Sequence, residues 1–218
     1  MKNRLAIVAI ALALLVAPGV ASADKGGHAP MLTPADGWDV SVSFTVGDYV
    51  GDYLPVGILD GIGAYQRGRN GIVRAFVNHE LRSEAGAAYE LANGTELTGA
   101  RVSWFDLNPR NRRVIRAGLA YDTAYDIYGD EVVDAAQLGG GFNRFCSGRG
   151  VHAGELGFVD NIHLAGEETF DGQLYALDIK NGEIWGVAAA GAMAWENVTP
   201  VDYAAGGPNS VAPVSYTH

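Results

Sequence analysis

Cys146 is the only cysteine in the 218 residues, so no disulfide can staple the fold from within. Basic residues are also scarce: 15 Lys and Arg stand against 25 Asp and Glu, for a formal charge of −10. That balance argues against nucleic acid and anionic lipid as partners. It suits a protein of the cell exterior, either loaded with cations or kept soluble by its own charge. No long amphipathic helical pattern is present. There is no Gly-x-Ser-x-Gly elbow of a serine hydrolase and no paired-histidine zinc motif. No clean internal repeat can be extracted.

The one long apolar run, Ala6 to Val16, is short for a membrane span. Lys2 and Arg4 precede it, Pro18 breaks it, and Ala21-Ser22-Ala23 follows as a small-x-small cleavage pattern. Residues 1–23 therefore read as an export signal. Removing 23 of the 218 residues would leave 195, and losing Lys2 and Arg4 would move the formal charge from −10 to −12. The expected location is the periplasm or the extracellular space, with no membrane contact after cleavage. A lone thiol in such a compartment must be buried, paired between chains, or bound to metal.

Glycine is plentiful, with 30 residues. Val, Ile, Tyr, Phe and Trp come in short runs between Gly, Asp and Asn, the pattern of an all-β chain with tight turns. Strict alternation predicts a strand over Trp38 to Val46. The run Ile58 to Tyr65 carries Asp60-Gly61 inside it, which predicts a bulge or a close backbone approach. Further strands are expected over Ile72 to Asn78, Ala100 to Leu107 and Asn161 to Leu164. Lys180-Asn181-Gly182-Glu183 between two apolar runs predicts a hairpin. Leu81 to Glu90 suits a helical turn, and the acids interleaved between Asp122 and Asp134 suit a short helix or an acidic loop. Strand spacing resembles that of propeller blades. The expected fold is thus a single all-β domain over 24–218, β-propeller-like, with too few strands for a closed ring and so an incomplete propeller.

Chemistry concentrates where acids end apolar strands or sit at turns: Asp60, Glu80, Asp160, Glu167, Glu168 and Glu196. Strands joined in a sheet would gather such acids at one rim, where they need a cation to offset their repulsion. Oxygen-rich sites suit calcium, and Asn78, His79 and Asn161 could add ligands. The alternative is that each acid caps its own turn or pairs with an arginine. Arg144 and Arg149 flank Cys146 in a glycine-rich loop, where bidentate guanidinium bonds to phosphate or carboxylate are available. Gln66 to Gly71 reads as a basic loop tip, and Arg110 to Arg113 as a solvated basic turn, with a phosphate site as the alternative.

The motifs VNHE (77–80), FCSG (145–148), LAGEE (164–168) and AWENV (194–198), with VGILDGIGAY before them, resemble the N-terminal part of the PhoX-like alkaline phosphatase family. That resemblance implies an exported, monomeric β-propeller that hydrolyses small phosphate esters with iron and calcium. It would make Glu80, Glu167, Glu168, Cys146 and Glu196 metal-side residues; the residues themselves suggest Arg144 and Arg149 as the arginines that would neutralise the outer oxygens of a phosphate over such a cluster. Gly166 stands where the family places an iron-binding cysteine, so the resemblance implies calcium rather than iron. Two readings stay open: a metal-dependent phosphate-ester hydrolase, and a noncatalytic calcium-stabilised propeller module for binding or structure.

Overall fold

The computed structural model describes residues 29–68, 70–202 and 211–214. The export-signal segment lies outside these residues. The chain divides into two units, 1–42 and 43–218. In the described part of the first, the Trp38 amide closes a turn on the Ala35 carbonyl at 3.0 Å. The second carries the sheets.

Two sheets dominate it. The first is an antiparallel meander in the order β1 (Leu59–Arg67), β2 (Ile72–His79), β5 (Arg101–Leu107), β6 (Val114–Leu119). The second has the order β7 (Thr123–Tyr125), β11 (Glu183–Gly186), β10 (Leu174–Asp178), β9 (Ile162–Glu167), β8 (Phe145–Val151). Its strands are antiparallel except for β7, which joins β11 in parallel. Two small ladders, β3 (Tyr89–Glu90) with β4 (Glu96–Leu97) and β12 (Thr199–Asp202) with β13 (Val211–Val214), complete the set.

The all-β reading holds and the propeller reading does not. Among the described residues no sheet is closed into a barrel or strongly curled, and only two sheets exceed two strands. The strand–turn–strand spacing that suggests blades is common to any antiparallel meander. It sets neighbours within a sheet and says nothing about how sheets are arranged.

Other expectations are also corrected. Residues 38–46 form no strand. Alternation needs a partner ladder, and Phe44 instead stacks on Phe105 at 4.4 Å. Leu81 to Glu90 is a loop running into β3. The acids of 122–134 serve turns: Asp126 accepts the amides of Tyr128 and Asp130 at 2.8 and 3.1 Å, and Asp134 caps a 3-10 turn at Ala135–Leu138. The β10–β11 hairpin turns through Asn181-Gly182, with Asp178 accepting the amides of Lys180 and Asn181.

Strand alternation splits the apolar runs between two cores. Tyr175 and Leu177 of β10 face a large aromatic core around Phe142, Phe145 and Tyr121. Leu174 faces a second core with Val151, Leu164 and Trp195. The second sheet is therefore buried on both faces.

The sheets meet where β1 crosses β8. A Cβ on Gly61 would lie 1.9 Å from the Gly148 nitrogen, and one on Gly63 would lie 3.0 Å from the Gly150 Cα. Backbone thus touches backbone, far closer than the ~10 Å usual between packed sheets. Asn78 pins the seam. Its Nδ2 donates to the Ser147 carbonyl at 2.7 Å, and its Oδ1 accepts from His163 Nε2 at 2.9 Å. Burial lowers the His163 pKa to about 3, so the ring is neutral.

At the far end of the first sheet, buried Asp106 accepts from Arg67 at 2.9 Å, Arg74 at 2.7 and 3.0 Å, and Arg116 at 2.8 Å. Burial alone would raise its pKa. The Arg74 hydrogen bonds and the charges of Arg74, Arg67 and Arg116 outweigh burial and hold it below the ordinary value.

Two outcomes are expected in denaturant unfolding. Gly61→Ala should abolish the cooperative transition, whereas Gly94→Ala, with open space around its Cβ, should cost only about 1 kcal/mol for its positive φ. Equal effects would show that the seam tolerates a side chain. Asp106 has a folded pKa below its unfolded one, so its contribution is present above the ordinary carboxylate range and is lost as pH falls through the depressed value. Asp106→Asn should destabilise the protein at neutral pH and flatten the acid limb of the pH–stability curve.

Candidate metal centre

Five acid or thiol side chains converge beside the seam, each delivered by a different segment. Asp60 lies in β1 at a register shift between Leu59 and Ile62. Cys146 lies in β8 at a register shift between Phe145 and Gly148. Each irregularity re-aims its strand at the same place, a common use of bulges near sites. Glu80 follows β2 directly, and its amide bonds the Ile58 carbonyl at 2.9 Å. Glu168 follows β9, and its amide bonds the Arg144 carbonyl at 2.9 Å. Glu196 comes from the loop anchored by buried Trp195, whose amide bonds the Glu167 carbonyl at 3.0 Å.

These side chains form two groups that share one vertex. Donor atoms of Asp60, Glu80 and Cys146 all lie within 4.8 Å of one another, and so do those of Cys146, Glu168 and Glu196. Cys146 is buried, and its thiol points to Asp60 Oδ2 at 3.5 Å.

One cation already sits among these acids. Arg144 donates through Nε and Nη2 to Glu80 Oε1 at 3.0 and 2.6 Å, and through Nη2 to Glu168 Oε2 at 2.5 Å. Its backbone, at φ 49°, lies in the left-handed region, and its amide is fixed to the Leu81 carbonyl at 2.7 Å. The Glu80 hydrogen bond, with the charges of Glu168 and Glu80, holds the guanidinium pKa above its ordinary value against burial. Four carboxylates against one guanidinium still leave an excess of negative charge. The excess shows in the neighbours. Burial, then the Glu80 and Glu168 charges, raise the Asp60 carboxyl. Burial, then the Asp60 and Glu196 charges, push the Cys146 thiol up to about 12. A divalent cation would reverse each of these penalties at once.

The remaining expected site residues go elsewhere. Glu167 alternates away from Glu168, and its carboxylate accepts the backbone amides of Asn143 and Gln173 at 2.8 and 3.0 Å. It organises a loop and lies outside both donor groups. Arg149 alternates with the seam glycines and pairs with Glu155 at 3.6 Å. Asp160 pairs with Lys180 at 3.6 Å. Asn78 and His79 are buried structural groups. His79 bonds the Val56 carbonyl and Ser103, and burial lowers its pKa to about 4. Asn161 accepts the Ala153 amide at 2.9 Å. Asp60, one of the acids expected at the rim but absent from the metal-side set implied by the family resemblance, joins the cluster. Its signal in the sequence is the interrupted Asp60-Gly61 strand, which marks a bulge.

No known protein family, curated protein or solved structure matches this chain.

The expected behaviour of the thiol follows from its surroundings. In metal-free protein, thiolate ultraviolet absorbance should appear only near pH 12, and unfolding free energy should decline as pH rises from the unfolded thiol value towards 12. Adding a thiophilic divalent ion should bring the absorbance in at neutral pH. Thiolate absorbance at neutral pH without metal would contradict this electrostatic picture.

Proposed function

We propose that this chain is a noncatalytic, metal-stabilised all-β module whose ion clasps the two sheets at their glycine seam. One observation carries the reading: donors from β1 and the end of β2 in one sheet, and from β8 and the end of β9 in the other, share Cys146 as a common vertex. An ion held there ties both sheet edges together where backbone contact leaves no side chains to do so. The ion adds its binding free energy to folding, because the unfolded chain has no such site.

The donor set speaks to the ion. Carboxylates alone suit calcium, the ion expected from the sequence. A thiolate among them favours a borderline divalent ion such as zinc or ferrous iron. Asp60, Glu80, Glu168 and Glu196 would supply oxygen, and Cys146 sulfur.

Nothing in the geometry is specific to phosphate-ester hydrolysis. The two arginines assigned to phosphate do not work together, since Arg144 is spent on Glu80 and Glu168 and Arg149 on Glu155.

Elemental analysis and thermal unfolding, with and without a chelator, test the proposal. Zinc or iron near one equivalent, and a lower unfolding midpoint after chelation, are expected. Cys146→Ser removes a direct ligand and should weaken binding of that ion by at least the roughly 10- to 100-fold that loss of an outer-shell partner costs. Metal binding indifferent to Cys146→Ser would return the site to calcium on carboxylates alone. No bound metal, or no stabilisation by it, would overturn the clasp, and metal-dependent turnover of an aryl phosphate would overturn the noncatalytic reading.

A further inference from the structure

The end of the first sheet opposite the metal cluster gathers positive charge. β1 runs from Asp60 towards Arg67, and β2 returns from Ile72 towards Glu80. Eight residues of β2 place the two ends roughly 25 Å apart. The β1–β2 turn and the β5–β6 turn lie side by side at this end, because β2 and β5 are neighbours and Val73 pairs with Leu107. A Cβ on Gly71 would touch the Pro109 ring at 3.5 Å. Two basic segments that are separate in the sequence are thereby brought together.

The arginines here are of two kinds. Arg67, Arg74 and Arg116 are held on Asp106. Three guanidiniums on one carboxylate leave a surplus of positive charge, and Asp106 fixes where it sits. Arg74 is further ordered by stacking on Trp104 at 3.8 Å. Arg110, Arg112 and Arg113, on the adjoining turn, are exposed and form no ion pair among the described residues. Arg67, Gly68, Asn70, Ile72 and Arg116 line an open hollow of about 490 Å³ between the turns. Asp52 lines a neighbouring hollow with Arg116.

We propose that this end of the sheet binds a linear phosphate polyanion of the inorganic polyphosphate type. The hollow presents two ordered guanidiniums and an amide to one phosphate group. The three free arginines face the groups that follow along the chain. Neither turn carries an aromatic ring on which the bases of a single-stranded nucleic acid would stack. Among the described residues of the two turns Pro109 is the one exposed apolar side chain, too little to enter a bilayer. The acidic character of the whole molecule does not prevent this. At physiological ionic strength a charge is felt over about 8 Å, so the patch acts alone at contact distance.

The proposal is independent of the metal clasp, and chelator-treated folded protein should bind equally well. Titration calorimetry of the full chain with long-chain polyphosphate, across a salt series, tests it. The variant Arg110→Gln/Arg112→Asn/Arg113→Gln alters only exposed turn residues, and Asn suits the φ of 57° at position 112. It should lose about tenfold or more in affinity, and the log–log salt slope should fall by roughly 2, at about 0.7 per lost contact. A control with the same charge change, Arg82→Gln/Arg149→Gln/Lys180→Gln, should stay within about twofold of the parent. Equal loss in both variants, or no binding by the parent, would overturn the site. Single-stranded DNA or anionic vesicles binding as tightly as polyphosphate would overturn the ligand class.

Discussion

Two facing glycine pairs, Gly61 with Gly148 and Gly63 with Gly150, govern this structure. Each strand presents a stretch without side chains to the other, so the sheets approach until their backbones touch. Contact at that distance gives little hydrophobic burial of its own, because there are no side chains to bury. It is made specific by polar groups. Asn78 reaches across to the Ser147 carbonyl and is itself held by His163, a neutral ring in the interior. A buried amide and imidazole are tolerated there because their mutual hydrogen bond offsets desolvation.

The same closeness creates the candidate metal centre. Bulges beside the glycines turn Asp60 and Cys146 towards the ends of β2 and β9, where Glu80 and Glu168 emerge. Arg144 answers part of the repulsion and leaves the rest for a cation. The first sheet is therefore electrically polarised along its strands. Carboxylates collect at one end, and arginines organised by a single buried aspartate collect at the other. Neither cluster requires the other, and they lie at opposite ends of the first sheet.

The turns and bulges were legible in the sequence because they obey local rules. In the Asn181-Gly182 turn Gly182 reverses the chain at positive φ, and Asp60-Gly61 interrupts a strand where a bulge is found. The gathering of strand-end acids was legible in part. Glu80, Glu168, Glu196 and Cys146 come together, whereas Glu167 is turned away by the alternation of a single residue. The strand expected over 38–46 failed because periodicity describes a face and cannot supply the neighbour that a ladder needs. The propeller reading failed for a related reason, since meander spacing is the same whether sheets form a ring or meet at one seam.

Composition and local pattern alone determined that this chain is β-rich, acidic, without internal disulfides, and reversed at glycine-bearing turns. Those properties depend on residues a few positions apart. Only the tertiary structure decided that Cys146 stands between four carboxylates, that Arg144 bridges Glu80 and Glu168, and that Arg149 does not join it. It also decided that two basic turns share one end of a sheet. These outcomes depend on which strands lie side by side and on where a one-residue bulge redirects a side chain, and neither is encoded in the spacing of any one segment.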